Sequence, residues 1–179
     1  MTDLLSSWFP NVVTRLPEFF DSFVQTLIML GVTGVLSFVF ATFFAVVLTV
    51  TQHGGLTPNP VVFNVIDKIV NLFRSIPFII LAAALVPVTR ALVGTAIGTK
   101  GAIFPLIVGI TPFFTRQIQS ALSSVDPGFV EAAVSMGMSP IEIIFRVYLR
   151  EGVPAIIRVT TITLISLIGL TAIVGIVGG

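Results

Sequence analysis

No cysteine occurs in the 179 residues. That absence excludes disulfides, thiolate zinc sites, iron–sulfur clusters and a cysteine nucleophile, and it leaves the compartment unreadable from redox chemistry. Histidine is almost as scarce. His53 stands alone beside Gly54 and Gly55 in an expected connection, without a second histidine or carboxylate at metal spacing, and reads as a solvated loop residue. One histidine also leaves no Ser-His-Asp set to assemble, so general-base chemistry has little to work with. Charge is thin as well, at 9% of residues against about 25% in soluble proteins. Nine basic and eight acidic residues give a net charge of +1, so there is no basic field to hold nucleic acid. A phosphate-binding loop is missing too. Gly94, Gly98 and Lys100 imitate one, but the first gap is three residues and Thr99 separates the second glycine from the lysine. ATP hydrolysis therefore requires another chain.

What the sequence has instead is apolar length. Hydrophobic residues make up 55% and the mean hydropathy is +1.11, which points to lipid as the solvent. Ser22 to Val50 is an uncharged stretch of 29 residues, about 43 Å as a helix against a hydrocarbon core of roughly 30 Å. Val159 to Gly179 supplies another 21. Two shorter stretches, Ser75 to Thr89 and Gly101 to Thr115, have 15 residues each and reach only about 22 Å. They must extend past Arg74, Arg90, Lys100 and Arg116, whose stems can snorkel to the headgroups. The expectation is an all-α polytopic membrane protein with four transmembrane helices. A soluble buried core is excluded because four such segments leave too little polar surface to cover them. Pro77, Pro87, Pro105 and Pro112 fall in or beside the short spans, where kinks either line a path or merely bend the packing.

Residues 1–21 read as an N-terminal interfacial segment, with Leu4, Leu5, Trp8, Phe9, Val12, Val13 and Leu16 at helical spacing. Asp3 and the lack of a basic n-region argue against a cleaved signal peptide. Lys68, Arg74, Arg116, Arg146, Arg150 and Arg158 fall on one side of the spans and Arg15, Arg90 and Lys100 on the other. Six against three puts the N-terminus outside.

Residues 116–158 hold eight of the seventeen charges and form the one substantial excursion into water. Asp126 before Pro127 predicts a helix start, and Gly137 predicts its left-handed end after Met136. Ser139, Pro140, Ile141 and Glu142 then form a capping-box pattern opening a second helix, with Glu142 and Arg146 four apart. On the first helix Glu131 precedes Ala132 and Ala133. Either the two alanines let a partner approach the backbone closely, or they are good helix formers beside a solvated charge favoured by the helix dipole. In the last span Thr160, Thr163, Ser166 and Thr171 share one broad face. They either line a translocation path or hydrogen-bond within the helices. Gly175 and Gly179 give a small-xxx-small contact or the start of a glycine-rich loop.

The run EAAVSMG, Glu131 to Gly137, resembles the coupling motif of the membrane subunits of ATP-binding cassette (ABC) importers. The family's pattern continues to a hydrophobic stretch ending in Leu-Pro; here Arg150 follows Leu149, although Glu151 and Pro154 fit what commonly comes next. NLFRSIPFIIL (Asn71 to Leu81), VGTAIG (Val93 to Gly98) and TITLISLIG (Thr161 to Gly169) are similar to the permease subunits of methionine uptake transporters. The resemblance covers residues from about 22 onward. It implies an inner-membrane permease subunit of a single transmembrane domain, 1–179, for an amino acid such as methionine, with no cofactor of its own. A cytoplasmic coupling helix carrying Glu131, Ala132, Ala133 and Gly137 would dock on a separate ABC ATPase. The implied partners are that ATPase, a second copy of the chain, an extracytoplasmic substrate-binding protein and the bilayer, and a fifth helix follows Gly178 and Gly179 in the intact family member. The path would fall to Thr160, Thr163 and Ser166. A self-sufficient carrier or channel for a small solute is the competing class. The uncharged stretches hold no acid or histidine to couple ions, and four or five helices fall short of paired inverted repeats. A purely structural subunit would not need the EAA run.

Overall fold

A computed structural model describes residues 15–178, with side chains to Gly175. The interfacial segment around Trp8 and the small-residue partner Gly179 lie outside these residues. The described chain forms α1 (Leu16–Thr51), α2 (Pro60–Ser75), α3 (Phe78–Val93), α4 (Gly98–Ser123), α5 (Pro127–Ser135), α6 (Pro140–Ile143), a π-helical turn (Ile144–Tyr148), α7 (Leu149–Glu151) and α8 (Val153–Gly178).

Three helices are long and apolar enough to cross a membrane alone, namely α1, α4 and the Val153–Gly175 part of α8, and α2 with α3 makes a fourth candidate bent by 107°. The bend has a covalent cause. Pro77 bars Ile76 from helical geometry, and Ile76 is extended at φ −88°, ψ 123°. Pro77 itself then opens α3. The crossing expected from Ser75 therefore starts at Phe78. Residues 60–75 form a separate helix, which a search for uncharged stretches passes over because Asp67, Lys68 and Arg74 lie in it. Asn59 starts that helix, its side chain accepting from the amides of Val61 and Val62 at 3.2 and 3.1 Å. α1 also begins earlier than expected, so residues 16–21, read as the end of the interfacial segment, belong to the first helix.

α4 is the centre of the bundle and packs on α1, α2, α3 and α8. The buried positions of α1 fall every fourth residue, at Met29, Thr33, Ser37, Ala41 and Ala45, and α4 answers with Ala102, Leu106, Ile110, Phe114 and Ile118. Small residues on α1 face large ones on α4. In lipid no hydrophobic effect drives helices together, so close van der Waals packing over small residues must do it. Towards one end Ala41 and Ala45 meet Phe114, Ile118 and Ile156, and towards the other Met29 meets Leu106, Ile110 and Leu167. Pro105 and Pro112 are buried within α4. Hydroxyls of Thr111 and Thr115 donate to the carbonyls of Ile107 and Thr111 at 2.7 and 2.8 Å, bonds inside the helix of the kind that bend it.

Arg116 does not reach for headgroups as expected. It turns sideways to α2 and makes an ion pair with Asp67. The same guanidinium donates to Asn71 at 3.0 Å and to Gln119 at 2.8 Å, while Asn71 donates to Asp67 at 2.9 Å. About a quarter of each side chain of the pair is exposed, 21% for Arg116 and 27% for Asp67. The excursion is correspondingly shorter than 116–158, because 116–123 complete α4 and 153–158 open α8.

Candidate functional site

Between α4 and α8 the chain builds a corner out of local signals. Asp126 accepts from the Gly128 amide at 2.8 Å, and Pro127 occupies the first helical position, so α5 begins with its orphan donors partly satisfied. At the other end Gly137 has φ 76°. Its amide donates to Val134 at 2.9 Å and that of Met138 to Ala133 at 3.1 Å, a doubled closure that a β-carbon in left-handed geometry would oppose. Ser139 and Glu142 then close a capping box: the Ser139 amide and hydroxyl donate to the Glu142 carboxylate at 3.0 and 2.9 Å, and the Glu142 amide donates back to the hydroxyl at 3.4 Å. The backbone hydrogen bond and then the side-chain hydrogen bond from Ser139, with Arg146 adding, hold the Glu142 carboxyl below its ordinary range against a small opposing desolvation. Instead of one regular second helix, a π-helical turn carries the chain to Glu151, and Gly152 breaks it before α8 restarts with Pro154 in its first turn.

The two alanines separate. Glu131 and Ala132 are exposed, but Ala133 is 1% exposed and packs inward with Val125, Ile143 and Val147. The close-approach reading therefore fails for Ala133, whose small side chain lets α5 lie on its own neighbours. Burying Ile143 in this water-facing cluster contributes about 1.5–3 kcal/mol. The surface α5 presents is completed by Phe129, Val134 and Met136, which are more than half exposed.

A component the motif search missed is the turn between α1 and α2. The amides of Gly55, Thr57 and Asn59 donate to Gln52, Val50 and Thr51 at 2.9–3.0 Å. A β-carbon on Gly55 would stand 2.5 Å from the Val50 carbonyl oxygen. So drawn back, the turn packs Leu56 against the Ala133 cluster and faces Glu131, Val134 and Tyr148 across a cleft of about 500 Å³. The only sequence signal was the Gly54-Gly55 pair after a span. Burial raises the Tyr148 phenol.

The proposed path residues do not share a surface. Thr163 is 1% exposed between helices, its hydroxyl donating to Val159 at 2.8 Å, so it is a packing residue. Ser166 is exposed and donates to Ile162 at 3.0 Å. Thr160 borders an apolar groove between α1 and α8 with Gly34, Phe38 and Leu164.

The described residues thus form an all-helical, multi-span bundle that carries a glycine-turned polar corner on one end. The chain belongs to the family of binding-protein-dependent transport system inner membrane components, whose model matches residues 41–179. It is 44% identical over 138 residues to the D-methionine transport system permease protein MetI of Yersinia pestis, covering 77% of this chain. It is 41% identical over 159 residues to the methionine import system permease protein MetP of Bacillus subtilis, covering 89% of this chain and 71% of that one. The chain spans 64% of the length of the Yersinia relative. Its fold matches the MetNI methionine ABC transporter in an inward-facing conformation with a TM-score of 0.85 at 42% identity, over 87% of this chain and 72% of that one. A further match in fold alone, TM-score 0.76 at 19% identity over 96% of this chain and 77% of that one, is to an amino acid ABC transporter with histidines.

Proposed function

We propose that this chain is the membrane-spanning permease subunit of an ABC importer of methionine or a similar amino acid, coupled to a separate ATPase through α5. What carries the reading is the agreement of relatives named methionine permeases, 41–44% identical over 138–159 residues. The exposed side of α5, Glu131 and Ala132 with Val134 and Met136, is the docking face, and Gly137 sets its angle. Two copies enclose the path, because one copy has too few helices to surround a polar solute. An extracytoplasmic binding protein delivers the amino acid. Ser166, exposed on α8, is the path candidate of the three hydroxyl residues; the buried Thr163 supports the helix behind it.

The test is uptake of a panel of labelled amino acids by proteoliposomes holding the intact protein and its ATPase. Methionine accumulation that needs ATP inside the ATPase-facing compartment supports the reading. Uptake driven by an ion gradient without the ATPase, or transport of a sugar, peptide or metal ion with no response to methionine, overturns it.

A further inference from the structure

α2 carries three strips along its length. Phe63, Ile66 and Val70 face the bundle, with Val70 5% exposed. Asn64, Asp67, Asn71 and Arg74 form a polar strip. Between them runs an apolar strip of Val61, Val65, Ile69 and Leu72, spaced 4, 4 and 3 residues apart and left 51–71% exposed. In water a strip of this kind along about 17 Å of helix would be a liability. α2, however, leaves a span-length apolar helix pair at 107°, so when α3 crosses the bilayer, α2 runs close to the membrane plane.

The charges on α2 are arranged to match. Asp67, its one acid, is neutralised by Arg116. Lys68, on the border between the apolar and polar strips, and Arg74, in the last turn, are in no ion pair among the described residues. A surface helix with an exposed apolar strip, a polar strip and an unpaired lysine on the border between them is complementary to an anionic lipid surface. We propose that α2 lies in the headgroup layer and docks on anionic phospholipid, its Val61–Leu72 strip among the upper acyl chains and Lys68, on the border of that strip, on headgroup phosphates. Nothing in this assignment depends on the transported substrate or on the ATPase.

The absence of cysteine makes the test direct. Ile69→Cys and Asn64→Cys, each the sole thiol of the full chain, are labelled with an environment-sensitive fluorophore in nanodiscs of phosphatidylcholine containing phosphatidylglycerol. The Ile69 label should be quenched by nitroxide lipids and not by aqueous iodide, and the Asn64 label the reverse. Separately, phosphatidylglycerol retained over phosphatidylcholine on extraction should fall about fivefold for Lys68→Gln, and less for Arg74→Gln, on the side of α2 away from the apolar strip. An Ile69 label shielded from both quenchers would mean that a second copy or another protein covers the strip, and would overturn the proposal. So would equal access of iodide to both sites, or lipid retention indifferent to Lys68→Gln. The labelled proteins keep Lys68 and Arg74, so their result stands even if a charge variant misfolds.

Discussion

Asp67→Ala should release α2 from α4. The substitution removes the acceptor for Arg116 and for the Asn71 amide, and it leaves a guanidinium whose Nε is already buried without a partner. Exposed ion pairs are worth about 0–1 kcal/mol, whereas breaking a fully buried pair costs about 3–5 kcal/mol. With roughly a quarter of each side chain exposed, the loss falls between those limits, at about 2 kcal/mol, or roughly thirtyfold in the equilibrium for detaching the helix. Val70→Cys provides the reporter, since Val70 is buried beneath α2 at 5% exposure and no other thiol competes. When closing outpaces modification, the labelling rate follows the open population. Labelling of Val70→Cys in proteoliposomes should then accelerate roughly thirtyfold with Asp67→Ala, and less with Asp67→Asn, which keeps a hydrogen-bond acceptor. Arg116→Met combined with Asp67→Leu should return the rate towards the parent, because an apolar pair leaves no stranded charge. A change under about twofold with Asp67→Ala would refute the idea that the pair holds α2, since 1.4 kcal/mol already corresponds to tenfold.

The adjacent alanines should behave differently on substitution by tryptophan. Ala132→Trp, on the exposed face of α5, should abolish ATPase association in pull-downs while the segment stays folded. Ala133→Trp should overpack the cluster with Ile143 and cost about 1–3 kcal/mol, read as greater protease sensitivity near Ser135; the reverse pattern would place the docking face on the other side. Gly55→Ala forces a β-carbon onto the Val50 carbonyl, so it should expose a Leu56→Cys reporter at least about tenfold, through a penalty of 1.4 kcal/mol or more; unchanged labelling would dissociate the turn from the α5 cleft. For topology, an impermeant thiol reagent outside intact cells should label Thr99→Cys and not Ser135→Cys, and labelling at Ser135 alone would invert the assignment. The backbone and then the side-chain hydrogen bond from Ser139 hold the Glu142 carboxyl below its ordinary value. Its stabilisation is therefore fully present above the unfolded value and lost as pH falls through the lower folded one. Amide exchange at Ile143, corrected for intrinsic rate, should lose protection progressively as pH falls from the ordinary carboxylate value towards the lower folded one, and Glu142→Gln should flatten that dependence.

The local chemistry of the corner was largely legible from the chain, while the turn at Gly55, the helix opened by Asn59 and the π-helical turn were not. Composition decided the solvent, and long uncharged runs located α1, α4 and α8. Asp126-Pro127, Gly137 and the Ser139–Glu142 box placed the corner to within a residue, because caps and left-handed turns depend on groups a few positions apart. Tertiary structure alone decided which way those elements face. Alanine is the same residue at 132 and 133, yet one meets solvent and the other a closed cluster; helical phase relative to the rest of the chain sets that difference. Arg116 looked like a span-end charge, and only the arrival of α2, 49 residues earlier in sequence, gave it Asp67 as a partner. Thr163 and Ser166 lie three apart on α8, but packing buries the first and leaves the second open. Short-range hydrogen bonds act within a turn and can be read from spacing, whereas burial and ion pairing depend on surfaces that meet only when the helices pack.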